Sequence, residues 1–400
     1  MNSREVATQI PTEDELVARA RVMIPWLRER AAEVEAARSV PADIIEKFVE
    51  AGFFRILQPR RWGGYEMNPA VFFKVLMELG RGCCSSAWNM MILGVHPWEF
   101  GLFPQQAGDD VWSAKDDVIV ASSYAPVGSV KKVEGGYIID GKWPTSSGTD
   151  HGEWVILGAF ERDDEGKPID KLSLLLPRSD YQVIDDWHVM GLCGTGSKSL
   201  LVEKVFVPEH RTHSISDYSM DRRGSAFLFP FVQIFAGSVS AVTVGMAQGA
   251  IDHYIEQMKS RRNGTTGKPV SSSPYVKDRL ANAVLLVRSA RARLLQMMIE
   301  TTKIVQRREL IPIEDQVLYR LDVASVGRDC QEAVQLLFTA TAAKGLFNDQ
   351  PIQRIMRDVM AAANHITQNA DDNAGTLGGF LLGEALPPLQ YSRQSSGINF

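Results

Sequence analysis

Residues 139–154 read IDGKWPTSSGTDHGEW, a strand-like run that leads into a turn rich in Ser, Thr and Gly. The residues from Val118 to Pro208 continue this pattern, with β-branched or alternating runs of strand length. Short clusters with the composition of turns separate the runs: Gly135–Gly136, Asp140–Gly141 and Asp164–Gly166. The pattern predicts a central antiparallel β domain, to which we assign residues 116–210.

Helical periodicity replaces this pattern on both sides of the β domain. In residues 13–34 apolar side chains recur at steps of three and four, and Asn68–Pro69 has the composition of a helix start. Residues 273–310 form a long stretch with a single proline and no glycine. We therefore predict an α+β fold, with an N-terminal helical domain in residues 1–115 and a C-terminal four-helix-type bundle in residues 211–400.

Composition argues against several classes of protein. The 400-residue chain has 43 basic and 48 acidic residues, and its basic residues cluster only in pairs, so we expect no nucleic-acid partner. The acidic N-terminus lacks the features of a secretory signal, and the apolar residues 227–250 indicate a buried helix rather than a membrane span. The 4 cysteines have neither metal-ligand spacing nor a disulfide pattern. We expect a cytoplasmic protein without a bound metal, with an exposed connection at residues 211–224.

Three segments follow one another along the chain: LQPRRWGGYEMNP at 57–69, IDGKWPTSSGTDHGEW at 139–154 and GTGSKSLLVEKVFVPEHR at 194–211. Together with the order of helical domain, β domain and bundle, they resemble the hallmark segments of the acyl-CoA dehydrogenase superfamily. The resemblance extends over nearly the whole chain and implies the fold of that superfamily.

The resemblance also implies a flavin site. In that superfamily the segment after the strand tryptophan lies along the flavin, and here it holds Trp143, Thr145, Ser146 and Ser147. A hydroxyl group or backbone amide can hydrogen-bond flavin N5, and an indole can cover the ring face. The same residues also fit a plain strand end with Ser and Thr turn bonds, but the flanking segments favour the flavin site.

The residue in the place of the catalytic base decides between reactions. Dehydrogenases of the superfamily remove a proton with a Glu in a late segment, and the matching segment here, RIMRDVMAAANHITQN at 354–369, has His365 at that place. The alternative position for the base falls in residues 235–249, which contain no carboxylate. A thioester dehydrogenase is therefore disfavoured.

Two further motifs, GVHPW at 94–98 and SSYAP at 122–126, are similar to the two-component flavin monooxygenases. Their members include the oxygenase components of p-hydroxyphenylacetate hydroxylase and of the hydroxylase that acts on the phenolic ring of steroid breakdown products. The resemblance implies that His96 and Ser122 hold the phenolic oxygen of the substrate. It implies that His365 lies beside the peroxide that O2 forms at the flavin C4a carbon. His96 also fits a histidine of the apolar core.

The cofactor and the partners follow from the same resemblance. Residues 342–349, AAKGLFND, have one glycine where dehydrogenases contact the FAD adenine, so reduced FMN and reduced FAD both fit. Arg261 and Arg262 are candidates for a phosphate contact across a subunit interface, or for a solvated pair. The chain has no G-x-G-x-x-G motif after a strand, so reduced flavin must come from a separate NAD(P)H:flavin reductase.

Several alternatives stay open at this point. The substrate is a small aromatic compound, either a phenol or an indole, and Trp88 and Trp98 fit a pocket wall as well as a core. A nitrogen-oxidising or dehydrogenase-type flavoenzyme on the same scaffold is the second interpretation, and a non-catalytic scaffold protein is the third. We expect a homotetramer, because the resemblance implies a bundle that buries its long helices against other subunits, and the C-terminal half has more apolar stripes than one bundle needs. The remaining histidines are predicted to be structural or exposed: His151, His188, His210, His213 and His253.

Overall fold

The computed structural model describes residues 10–215 and 224–386. The first part is helical, with α1 (Glu13–Ala37), α2 (Ala42–Glu50), α3 (Pro69–Leu79), α4 (Cys84–Glu99) and α5 (Gln105–Trp112). A capping box between Thr12 and Glu15 fixes the start of α1. At the start of α3 the Asn68 side chain accepts a hydrogen bond from the backbone N–H of Ala70, and Pro69 occupies the first helical position. Helix α4 is buried on almost every side.

The middle of the chain forms two four-stranded sheets. One has the strand order β1–β4–β5–β8 and the other has the order β2–β3–β7–β6. The strands are β1 (Val120–Ser123), β2 (Ser129–Val133), β3 (Gly136–Ser146), β4 (Trp154–Arg162), β5 (Pro168–Pro177), β6 (Gln182–Ile184), β7 (Lys198–Pro208) and β8 (Thr212–Ser214). The order of helical block, β domain and helical bundle confirms the predicted fold class.

The structure corrects the prediction for the β domain in three places. Strands β1 and β4 pair in parallel, so the domain is not entirely antiparallel. Asp140–Gly141 is a bulge inside β3 rather than a turn. A Cβ atom at Gly141 would lie 2.8 Å from Gly128 Cα, so the bulge requires glycine. The predicted exposed connection begins with buried β8, and residues 216–223 of it lie outside the described residues.

The bundle consists of α6 (Phe231–Ser260), α7 (Pro274–Gln306), α8 (Ile313–Ala340), α9 (Pro351–Ala363) and α10 (Ala370–Leu381). Helix α6 runs through its centre and packs against α3, α4, α7, α8 and α9. It is the one helix among the described residues that is long and apolar enough to span a membrane, and 89% of its most apolar window is buried inside the protein. The prediction of a buried helix is confirmed.

Helix α9 is fixed to the β domain by polar contacts. The buried Asp358 accepts a hydrogen bond from the backbone N–H of Leu192 at 2.6 Å, and Arg357 donates to the carbonyl of Met190 at 2.6 Å. Arg357 also forms an ion pair with Glu35 of α1 at 2.6 Å. These contacts set the position of the segment that follows α9.

Candidate active site

Helix α4 packs against strand β1, and these two elements carry His96 and Ser122. His96 has no exposed surface and Ser122 is buried. Tyr124 follows Ser122 by two residues, and its hydroxyl group lies 3.2 Å from Nδ1 of His96. The structure therefore brings the His96 helix and the Ser122 strand to one place.

Aromatic side chains surround the ring of His96. The ring centroid lies 5.7 Å from that of Phe235 and 5.8 Å from that of Tyr124. Phe231 and Phe235 stack at 4.2 Å, and both meet Tyr124 edge to face. Trp98 packs edge-on against the same two phenylalanines. Such walls are suited to a flat aromatic molecule.

The imidazole of His96 has an unpaired nitrogen. Burial lowers the pKa of His96 to about 4, although the charge of Glu99 opposes the shift, so the ring is neutral at neutral pH. Among the described residues Nε2 has no hydrogen-bond partner. A buried polar atom of this kind normally has a partner, so Nε2 is free to bond a bound molecule or a water.

A second polar group surrounds Ser147 at the end of β3. The hydroxyl of Ser147 lies 2.7 Å from that of Ser197, which lies 2.7 Å from that of Thr195. The indole N–H of Trp88 donates to Ser147 at 3.1 Å. The Oγ atom of Ser146 is buried without a partner in the described part of the chain.

Thr145, between these serines and Trp143, has a strained backbone. Its φ angle of 57° lies in the left-handed region, which a β-branched residue seldom adopts. Thr145 is exposed, and the β3–β7 register shifts between Trp143 and Ser146. Strain of this kind concentrates at functional sites, where the surrounding structure holds it in place.

His365 follows α9 and approaches the Ser147 group through Trp88. The ring centroids of Trp88 and His365 are 5.8 Å apart with an edge-on geometry. The backbone N–H of Thr367 donates to Nδ1 of His365 at 3.3 Å. Burial lowers the pKa of His365 to about 4, so the ring is neutral and its proton lies on Nε2. His365 is therefore a donor through Nε2.

The sequence relationships are consistent with this geometry. The chain matches the acyl-CoA dehydrogenase N-terminal domain family over residues 15–101 and the C-terminal domain family over residues 238–370. It is 38% identical over 362 residues to the flavin-dependent monooxygenase oxygenase subunit HsaA of Rhodococcus jostii, covering 88% of this chain and 94% of the relative. The chain belongs to the oxygenase components of the flavin-dependent monooxygenases.

Other relatives of this oxygenase component act on small aromatic compounds, as their names state. The p-hydroxyphenylacetate 3-hydroxylase oxygenase component of Acinetobacter baumannii is 30% identical, with 92% of this chain and 89% of the relative covered. The FADH2-dependent resorcinol hydroxylase of a Rhizobium species is 31% identical, with 92% and 94% covered. The crystal structure of 3-HSA hydroxylase from Rhodococcus sp. RHA1 has a TM-score of 0.90 and 35% identity, with 94% and 99% covered.

These relationships confirm the predicted family and reaction class. The oxygenase component uses reduced flavin and O2 to hydroxylate an aromatic substrate. An oxygenase component receives its reduced flavin from a separate reductase. The dehydrogenase and non-catalytic interpretations are therefore set aside.

Trp143 does not take the position predicted for it in the oxygenase. Its indole is fully buried, and Nε1 donates to the carbonyl of Gly158 at 2.8 Å. A Cβ atom at Gly128 would lie 2.1 Å from the indole, so the ring is enclosed by the β domain. Trp143 therefore has no open face to cover a flavin ring and instead stabilises the sheets.

Arg261 and Arg262 lie far from His96 within one chain. Both follow the C-terminus of α6, whereas Phe235 stands near its start, and 26 residues of helix correspond to about 40 Å. Arg261 donates to the carbonyl of Thr341, and Arg262 donates to that of Gly267. The predicted contact with a flavin phosphate near His96 would therefore need Arg261 or Arg262 of a second subunit.

Several residues of the candidate site carry no clear signal in the sequence. Tyr124 lies inside the SSYAP motif, where the motif alone predicts no contact with His96. Trp88 fits a pocket wall and a core equally well by sequence, and in the structure it donates to Ser147. Asn89 is fully buried on α4, with neither amide atom paired among the described residues. It lies seven residues before His96, so the two share a helix face. A polar residue inside an apolar helix was the available signal for Asn89.

Proposed function

We propose that this oxygenase hydroxylates a phenol, with FADH2 from an NAD(P)H-dependent reductase and with O2. One observation carries the choice of a phenol: the unpaired Nε2 of His96 lies among aromatic walls and beside the Ser122 strand. A neutral, buried nitrogen acceptor suits a substrate that offers a hydroxyl donor. The names of two relatives, which state p-hydroxyphenylacetate in one case and resorcinol with FADH2 in the other, support the same choice.

The flavin fits the polar group at the end of β3. Ser146 has a buried hydroxyl without a partner in the described chain, and Ser147 presents a hydroxyl that Trp88 and Ser197 already orient. Thr145, Ser146 and Ser147 are therefore the residues proposed to hold the flavin near N5, and Arg261 and Arg262 of a neighbouring subunit are proposed to contact its phosphates. Reduced flavin, when bound, reacts with O2 and supplies the oxygen atom that enters the ring.

The residues of this chain bind the substrate, donate a proton and exclude water. His96 and Ser122 would hold the phenolic oxygen and so orient the aromatic ring in the site. His365 donates from Nε2 to the oxygen that leaves as water. The aromatic side chains around His96 exclude bulk water from this place, which limits the wasteful release of H2O2.

The partners and the location follow from this chemistry. The protein works as a homotetramer in the cytoplasm, where NAD(P)H is available, with neither a membrane nor a nucleic acid as partner. Exposed apolar side chains on the bundle support the tetramer, among them Tyr275, Leu285, Phe347 and Leu382. The net charge of −5 gives no attraction to nucleic acid.

A substrate panel tests the proposal. The protein is mixed with a flavin reductase, NADH, FAD and either phenols or indoles of matched size, and products are identified by mass. A gain of one oxygen atom on phenols is the expected result. Hydroxylation of indoles alone would assign the acceptor nitrogen to an indole N–H and overturn the choice of a phenol.

Flavin binding provides an independent measurement. The oxygenase must accept reduced flavin from the reductase and must not retain the oxidised product, so reduced flavin should bind more tightly. Dissociation constants are measured for FADH2 and FMNH2 under anaerobic conditions and for both oxidised flavins in air. Equal constants for the reduced and oxidised forms would contradict the two-component interpretation, and tighter binding of FMNH2 would contradict the choice of FAD.

A further inference from the structure

A buried polar chain extends from His96 away from the aromatic walls. The Tyr124 hydroxyl contacts Nδ1 of His96 on one side and the carboxylate of Glu99 on the other. Glu99 has no exposed surface, and its Oε1 accepts from Ser173 at 2.6 Å and lies 2.7 Å from Nε2 of His213. The chain therefore links α4, the segment after β1, β5 and β8.

The protons along this chain have one consistent arrangement. Nδ1 of His213 lies 3.0 Å from the carbonyl of Ser214 and Nε2 faces Glu99, so both ring nitrogens face acceptors. Nε2 of His213 therefore donates to the carboxylate of Glu99. Burial raises the pKa of Glu99, but the hydrogen bond and the charge of His213 bring it below the ordinary value.

The carboxylate determines the direction of the next two bonds. A carboxylate only accepts, so Tyr124 donates its hydroxyl proton to Glu99. The Tyr124 oxygen then accepts from Nδ1 of His96, which must carry the proton of the neutral ring. Nε2 of His96, unpaired among the described residues, is left as an acceptor.

We propose that Tyr124, Glu99 and His213 are positioning residues that fix His96 as the Nδ1-protonated tautomer, so that the site selects neutral phenols over phenolates. This inference deepens the proposed function and rests on it for the identity of the substrate. A neutral phenol donates its O–H to Nε2, whereas a phenolate oxygen would face a lone pair. As the ring is hydroxylated its O–H becomes more acidic, and the proton moves to Nε2 while the O–H bonding electrons stay with the ring oxygen.

Other charged groups near the chain leave this arrangement in place. Lys171 of β5 is the further titratable group that interacts with Glu99, and burial lowers its pKa although the charge of Glu99 opposes the shift. The ring of Phe103 packs edge-on against His213 at 4.4 Å, so an apolar side chain covers the ion pair. His213 was predicted to be structural or exposed, and its place in this chain gives it a role that its sequence context did not indicate.

Neutron diffraction from crystals of the deuterated full chain tests the tautomer without any substrate. Deuterium on Nδ1 of His96 and none on Nε2 is the expected result. Deuterium on Nε2, with or without deuterium on Nδ1, would overturn the inference. This measurement does not depend on hydroxylation, so it separates a failure of the inference from a failure of the proposed function.

Kinetics of two variants test the consequence for the substrate. In Glu99→Gln the amide can donate to Tyr124, whose hydroxyl is then free to donate to Nδ1 of His96, and the proton of His96 moves to Nε2. Tyr124→Phe removes the acceptor altogether. For both variants we expect kcat/KM for 4-fluorophenol, which is neutral in the assay, to fall by about 10-fold or more. The kcat/KM for a tetrafluorophenol, which is ionised in the assay, should fall only slightly or should rise.

The matched control is Tyr137→Phe, which removes a tyrosine–glutamate hydrogen bond of 3.4 Å to Glu161 in the β domain, away from His96. It should leave the ratio of the two phenols unchanged. Equal losses on both phenols in Glu99→Gln and Tyr124→Phe would indicate a merely structural role and overturn the inference. If the parent protein hydroxylates no phenol of the substrate panel, the proposed function fails, and the neutron result alone decides the tautomer.

Discussion

Trp88 and His365 form an edge-on aromatic pair, with ring centroids 5.8 Å apart and ring planes at 65°. The indole N–H of the same tryptophan donates to Ser147 at 3.1 Å. Trp88 therefore links the residues proposed for the flavin N5 region with the histidine proposed for proton donation. Both ends of this link were predicted from the sequence, and the connection between them was not.

Replacement of His365 by Ala should separate oxygen consumption from hydroxylation. The variant should still bind reduced flavin, because Ser146 and Ser147 are unchanged, but it lacks the Nε2 donor. Loss of a positioned acid or base typically costs about 100- to 10,000-fold in the step that it serves. Stopped-flow absorbance and product yield per flavin oxidised should show consumption of O2, release of H2O2 and little product.

His188→Ala is the control for that experiment, since His188 is exposed on the β domain. It should couple oxygen consumption to hydroxylation as the parent does. Unchanged coupling in His365→Ala would show that His365 does not act in the reaction. His365→Glu should not restore hydroxylation, because an ionised carboxylate cannot donate.

Replacement of His96 by Ala should weaken the use of the phenol while leaving the reaction of reduced flavin with O2 intact. Loss of one hydrogen bond to a buried oxygen that carries charge during the reaction costs about 1.5–3 kcal/mol, or roughly 10- to 150-fold. The effect is measured as kcat/KM for the phenol, together with the rate of O2 consumption. A variant that hydroxylates as well as the parent would identify His96 as a core residue only.

Asp358 should make the stability of the fold depend on pH. Burial raises its pKa from 3.8 to about 6, against the backbone N–H of Leu192. The folded state therefore holds the proton more tightly than the unfolded chain, and the associated stability, present below pH 4, is lost as the pH rises to about 6. The shift of about 2 units corresponds to roughly 3 kcal/mol.

Asp358→Asn keeps an oxygen acceptor for Leu192 without the charge. Relative to this variant, the parent should lose free energy of unfolding between about pH 4 and pH 6 and show a constant difference above that range. Urea unfolding at several pH values measures the difference. Nearby Glu35, Arg354 and Arg357 are present in both proteins, so a difference that does not change with pH would contradict the raised pKa.

The assembly is expected to be a homotetramer with a mass four times the 44.4 kDa of the chain. Apolar side chains on the bundle surface provide the contact area, including Leu285 at 62% exposure and Phe347 at 66%. Light scattering at micromolar concentration measures the mass. A monomeric mass would contradict both the tetramer and the phosphate contact proposed for Arg261 and Arg262.

The fold was largely accessible from the sequence because its signals are local. The helix start at Asn68–Pro69 and the change of periodicity near Val118 each depend on a few neighbouring residues. The short strands β6 and β8, with three residues each, carry too little pattern to be predicted. Asp140–Gly141 has the composition of a turn, and only its close contact with Gly128 makes it a bulge.

The candidate site rests on a resemblance, which reports positions and not contacts. The resemblance predicts roles for His96, Ser122 and His365 in separate segments. It predicts none for Tyr124 and Glu99, which form the polar chain beside His96. Glu99 and His213 are 114 residues apart, and nothing in either segment indicates that they meet. The burial of Trp143 likewise depends on how two sheets close over it, which no local pattern encodes.

The attachment of α9 to the β domain also limits where residues can be inserted into or deleted from this sequence. The backbone N–H of Leu192 donates to Asp358, and His365 follows seven residues later. The length of the intervening segment therefore fixes where the His365 side chain lies. One inserted residue would rotate everything beyond it by about 100° and shift it by about 1.5 Å, which would turn the imidazole away from Trp88. The exposed turn at Asp163–Gly166 imposes no such constraint. Insertions and deletions in descendants of this sequence should therefore accumulate there and be absent between Asp358 and His365.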